Sequence, residues 1–152
     1  MRKHRHKYMG LRDLPASVDW RLKNAVSPVK DAGECSASHV FAAIASLEGC
    51  WAISNQKLTI LSEQNVIDCL KVQSVCKGGS LDDVYDYIYR NKGLNTNASY
   101  PYTGKVGTCS FDSNQIGAKI RGWVDNQVGC EEEMQTAVAY WGPLAAGLDS
   151  SR

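Results

Sequence analysis

Gly33-Glu34-Cys35-Ser36-Ala37-Ser38-His39-Val40-Phe41 runs without a break into Ala42-Ala43-Ile44-Ala45-Ser46-Leu47-Glu48-Gly49-Cys50-Trp51, and the reading of this stretch decides the fold. From about Ser38 to Ile53 the apolar residues Val40, Phe41, Ala42, Ala43, Ile44, Ala45, Leu47 and Trp51 fall on nearly every face of a helical wheel. A helix apolar all round is a buried one, so the rest of the chain has to wrap it. Upstream, residues 14–37 read as an extended, looped entry punctuated by Pro15 and Pro28. Downstream, Ser62 is placed to cap a short helix ending near Asp68-Cys69. Ser80-Leu81-Asp82-Asp83 has capping-box spacing, with Asp standing in for Glu, and opens a helix to about Asn91 with Val84, Tyr85 and Ile88 on its inner face and Gly93 to end it. Glu131-Glu132-Glu133 puts acids into the first turn of a fourth helix running to Tyr140-Trp141, stopped by Gly142-Pro143. Strand character is short: Ala118 to Val124, and Leu144 to Leu148. There is no internal repeat and no low-complexity segment.

A chain of 152 residues with 43% hydrophobic residues supplies the core of one domain and is a poor match to disorder. Net charge is +1 with acids and bases interspersed, which gives no support to a nucleic-acid or membrane partner. Residues 1–13, with the basic run Arg2-Lys3-His4-Arg5-His6-Lys7, read as a solvated tail or propeptide remnant ahead of a domain over 14–152. No apolar run of signal-peptide length opens the chain, and no stretch approaches a membrane span. Six cysteines nevertheless suit an oxidising compartment. Asn97-Ala98-Ser99 is a glycosylation sequon, weakly consistent with the same compartment. Cys69 and Cys76 are too far apart for a close ligand pair and His4, His6 and His39 have no zinc-ribbon spacing, so no metal site is expected.

Several ordered motifs carry a family resemblance. Leu14-Pro15-Ala16-Ser17-Val18-Asp19-Trp20-Arg21 through Val26-Ser27-Pro28-Val29-Lys30 resembles the mature start of papain and cathepsin L relatives. Leu61-Ser62-Glu63-Gln64-Asn65-Val66-Ile67-Asp68-Cys69, Cys76-Lys77-Gly78-Gly79 and Ser99-Tyr100-Pro101-Tyr102 extend the likeness. The resemblance implies the α+β papain-like fold, mostly its helical N-terminal lobe, with the β-rich second lobe beginning around Ala118 and continuing beyond Arg152. It also implies disulfides Cys35–Cys76 and Cys69–Cys109, assigns no partner to Cys50 or Cys130, and implies no cofactor. Spacing alone leaves the 15 connectivities of six cysteines open.

Around the nucleophile the family reads Gln-Gly-x-Cys-Gly-Ser-Cys-Trp-Ala-Phe. Here Gly33, Cys35 and Phe41 keep their places, while the Gln position is Ala32, the Cys position Ser38 and the Trp position His39. A thiolate is available near neutral pH beside an imidazolium and a helix N-terminus; a serine hydroxyl needs a positioned general base instead. Adjacent residues on a helix point apart, so His39 is read as packing or surface filler, not as that base. The signature's His and Asn lie about 130 to 150 residues beyond the nucleophile, and no histidine follows His39 in this sequence. Ala32 offers no side-chain donor to an oxyanion, a loss that typically costs about 100- to 1000-fold. Ser38 is then a helix N-cap or small buried polar residue by default.

These readings favour a non-catalytic homologue or truncated product that binds peptides or inhibitor-like partners, a propeptide or protease inhibitor among them, with Gly78 and Gly79 as the peptide-pairing backbone. The alternatives are an active hydrolase using Ser38 or completed by a further segment, and a structural or matrix protein similar to the silicateins, which also carry Ser at this position. Extracellular, lysosomal or vacuolar residence follows from the resemblance and the cysteines. Apolar surface near Trp141 and after Pro143 predicts self-association or a partner.

Overall fold

The computed structural model describes residues 3–5, 14–72 and 74–148. Most of the 1–13 tail and the end from Asp149 therefore lie outside the described residues. The elements are β1 (Lys3–Arg5), α1 (Ser38–Asn55), α2 (Glu63–Cys69), α3 (Leu81–Arg90), β2 (Leu94–Asn95), β3 (Ile116–Ala118), β4 (Trp123–Asp125) and α4 (Glu131–Tyr140). A 3-10 turn at Trp20–Lys23 precedes α1, with Asp19 accepting from the Arg21 amide at its start.

α1 is the axle. Val40, Ala43 and Ile44 are fully buried along it, and they meet Val66 and Ile67 of α2, Val84 and Ile88 of α3, and Leu61, Leu94 and Ala118 in one core. Small residues let neighbours come close to α1. A Cβ on Gly49 would stand 2.8 Å from the Ala25 carbonyl oxygen and 2.7 Å from Pro143. The strands are minor. β2 pairs antiparallel with β3, Leu94 opposite Ala118, and β1 pairs parallel with β4, Lys3 opposite Trp123. Part of the segment read as a tail thus forms a short strand.

Local chemistry sets the helix ends. Ser62 accepts the Asn65 amide at 2.9 Å, the expected N-cap of α2. Ser80 caps α3 by accepting the Asp82 amide at 3.1 Å. At the far end of α3 the Gly93 amide donates to Ile88 and the Lys92 amide to Tyr89, a Schellman closure. The left-handed residue there is Lys92 at φ 60°, one place ahead of the glycine expected to end the helix. Two further expectations are corrected. Leu144–Leu148 is not a strand, because an extended segment becomes one only when a neighbour supplies the ladder, and among the described residues none pairs with it. The single strand read over 118–124 is two short ones, β3 and β4, broken where Gly122 takes φ 156°.

Candidate functional site

The segment leading into α1 is fixed from three sides. Asp31 accepts the Gly33 amide at 2.8 Å, turning the chain at Gly33, whose φ is 58°. Tyr102 donates its hydroxyl to the Ala32 carbonyl at 2.7 Å, and its ring meets Phe41 edge-on at 5.3 Å between centroids. Cys35 is buried and bonded to Cys76, which ties this segment to the Lys77–Gly79 loop. Cys69–Cys109 is the second disulfide, so both bridges follow the pairing that the resemblance implies. Cys50 and Cys130 are free thiols, and burial pushes the Cys50 thiol up.

Ser38 is the first residue of α1, and it is exposed. It is neither the N-cap nor a buried polar residue, which corrects the default reading. The cap is Ala37, whose carbonyl accepts the amides of Val40 at 2.9 Å and Phe41 at 3.2 Å with no side-chain bond to assist. The helix thus starts one residue earlier than a serine cap requires, with the fully buried Ala37 in the cap position. The Ser38 hydroxyl therefore stands in solvent at the positive end of an 18-residue helix.

His39 follows it and turns the other way. It is 8% exposed, and neither ring nitrogen has a hydrogen-bond partner. Its ring lies against Gly79: a Cβ there would stand 2.6 Å from Nε2. Burial lowers the imidazole pKa, and the charge of Asp83 opposes this only in part. Gly78 and Gly79 are both exposed on their outer side, Gly78 at φ 103°. The Gly78–Gly79 backbone and the start of α1 thus share one face through the disulfide and the imidazole.

Lys30, next to this segment, bridges two buried carboxylates, at 2.8 Å to Glu48 and 2.6 Å to Glu63. Burial works against the Lys30 charge, yet the bonds to Glu48 and Glu63 outweigh it and hold its pKa above the ordinary value. Burial pushes Glu63 up, with Lys30 opposing. Glu48 also accepts the Leu61 amide at 2.8 Å, which joins α1 to the strand-like entry of α2. Sequence reasoning missed this cluster. The available signal was Glu48, the sole Asp, Glu, Lys or Arg in α1. Tyr102, which holds Ala32, was also missed. Beside it opens a cavity of about 270 Å³ lined by Lys30, Asp31, Phe41, Glu63 and Asn97 among others. Asn97 is half-buried in the turn after β2, its amide donating to Ile60. Among the described residues no cluster of three or more His, Cys, Asp or Glu is placed to hold a metal ion.

The sequence pattern of the papain family cysteine proteases matches residues 14–152. The chain belongs to the papain family. Cysteine proteinase 2 of Dictyostelium discoideum is 42% identical over 144 residues, 93% of this chain and 38% of the relative. Cathepsin L1 of Drosophila melanogaster is 41% identical over 140 residues, 91% of this chain and 38% of its own length. Among solved structures, digestive procathepsin L 3 of the Tenebrio molitor larval midgut superposes with a TM-score of 0.83 at 36% identity, covering 91% of this chain and 45% of that one. The recombinant stem bromelain precursor gives 0.79 at 39% identity over 83% of this chain and 41% of the precursor. The chain spans about two fifths of the length of the papain-family relatives it matches. Its helix-rich architecture is that of the papain N-terminal lobe.

Proposed function

We propose that this papain-family chain is a non-catalytic homologue whose domain over 14–152 binds extended peptides or inhibitor-like segments along Gly78–Gly79. The observation that carries the proposal is the pairing of an exposed hydroxyl at Ser38 with an imidazole at His39 that is buried against Gly79 and bonded to nothing. A serine nucleophile needs a base within about 2.6 to 3.2 Å. The nearest imidazole in sequence is used as packing, and the Ala32 position has no donor for an oxyanion.

Binding makes fewer demands than catalysis. Gly78, where a Cβ would meet nothing within 4 Å, leaves the outer face open for another backbone to approach closely enough for main-chain hydrogen bonds, while the Cβ position of Gly79 is turned inward onto His39. The tie from Cys76 to Cys35 holds that edge in place before a ligand arrives. The procathepsin and the bromelain precursor among the structural neighbours support a propeptide-like segment as the ligand class. Two disulfides support residence in an oxidising space, extracellular, lysosomal or vacuolar, and Asn97 in its turn is the proposed glycosylation site.

The test is a titration of the isotopically labelled chain with an extended, uncharged peptide, followed by amide resonances. Saturable shifts centred on Gly78 and Gly79, with the peptide recovered intact, support the reading. Shifts elsewhere, or none, would sink it.

A further inference from the structure

His39 is the buried group with least reason to be polar. Both ring nitrogens are out of water and unpartnered, and the ring fills the volume that a side chain on Gly79 would need, Cδ2 2.9 Å and Nε2 2.6 Å from the Cβ position. Here imidazole is used for its shape, and it keeps that role only while neutral. The Lys77–Gly79 loop is held to the start of α1 by the covalent tie at Cys76 on one side and by this ring on the other.

We propose that His39 is an acid-responsive latch on the Gly78–Gly79 segment: neutral, it packs the segment against the start of α1; protonated, it leaves its slot and releases the segment. Taking up a proton puts a second N–H and a full charge into a site that offers no acceptor, and an uncompensated buried charge is strongly unfavourable. The charged groups on the surrounding elements are Glu34 ahead of α1, Lys77 in the loop, and Asp82 and Asp83 in the first turn of α3. Asp82 accepts the Trp123 indole N–H at 2.7 Å. Asp83 is the charge that acts on the ring, drawing a proton towards it, but burial dominates and keeps the closed-state pKa below 6.5. The closed form therefore binds fewer protons than the open one. As pH falls below the ordinary imidazole value, the open form gains by up to about tenfold for each pH unit until the closed-state pKa is reached. The latch requires neither a bound peptide nor a nucleophile, so it stands or falls apart from the proposed function.

The full chain, labelled for NMR and titrated from about pH 7.5 to about pH 4.5, tests it. The His39 ring is expected to titrate below 6.5, with the Gly78 and Gly79 amides shifting at the same midpoint and their exchange protection falling in parallel. His39→Phe, which keeps a ring but cannot titrate, is expected to abolish the pH response at both glycines. Asp83→Asn is expected to move the His39 midpoint further down. A His39 midpoint at the value of free histidine would overturn the proposal. So would glycine amides that ignore the His39 titration, or an unchanged response in His39→Phe. Should His39→Phe fail to fold, the coincidence of midpoints in the unaltered chain and its movement in Asp83→Asn decide the matter.

Discussion

At the scale of single residues, close contact and buried charge set the energetics. A methyl group on Gly79 meets the His39 ring at 2.6 Å, well inside van der Waals contact. Gly79→Ala is therefore expected to destabilise the chain by about 1–3 kcal/mol in denaturant unfolding. In a His39→Ala background the same change should cost almost nothing, because the obstructing atoms are gone; equal losses in both backgrounds would refute the contact. Lys30 is the second such residue. Its side chain is 22% exposed, against 0% for Glu48 and 2% for Glu63. Lys30→Met strands two buried carboxylates and should cost about 3–5 kcal/mol at neutral pH. The sign with pH follows from linkage. Burial already raises the folded pKa of Glu63, and losing Lys30 raises it further, so the folded variant holds a proton that the unfolded chain gives up. The deficit of Lys30→Met should then shrink as pH is lowered through the carboxylate range. A deficit that grows on acidification would contradict this.

At the scale of elements, caps and ties fix where each helix begins and ends. Lys92 occupies the left-handed position that closes α3, at φ 60°, where glycine has no Cβ penalty. Lys92→Gly is expected to stabilise by up to about 1 kcal/mol, read as a higher unfolding midpoint; destabilisation would mean the lysine side chain contributes more than its backbone costs. The disulfide Cys69–Cys109 closes a separation of 40 residues from the end of α2. Replacing both cysteines by Ser should cost about 4 kcal/mol in the chain-entropy picture, checked by unfolding under identical conditions. These elements also separate what was legible in the sequence from what was not. The caps at Ser62 and Ser80 and the acidic first turn of α4 were readable, because each signal lies within three or four residues of the group it serves. The buried character of α1 was readable from its composition. The Lys30 cluster was not, since its partners are 18 and 33 residues away and a lone lysine in a loop looks like a surface residue. Leu144–Leu148 misled for the complementary reason: apolar residues favour a strand only when another strand is there to pair.

Across the whole molecule, the axle helix, its two partner helices and both disulfides give the papain N-terminal lobe, and its motif positions were legible through family resemblance. The role of His39 was less so. Its identity marked an altered site, but only packing revealed that the imidazole faces Gly79 and not Ser38. The molecule also exposes apolar side chains towards its C-terminal side, with Trp141 at 57% and Leu148 at 92% exposure, alongside Met134 and Tyr140. Surface of this kind marks an interface or an aggregation liability. The chain alone is expected to associate with rising concentration in sedimentation, and a monodisperse monomer across the range would count against that.

At the start of α1 an exposed serine has a buried, unpartnered imidazole for a neighbour and no side-chain donor at Ala32. Turnover of a broad set of fluorogenic peptides by the unaltered chain and by Ser38→Ala tests whether that site is inert. No turnover is expected from either. Hydrolysis by the unaltered chain that disappears in Ser38→Ala would overturn the non-catalytic reading.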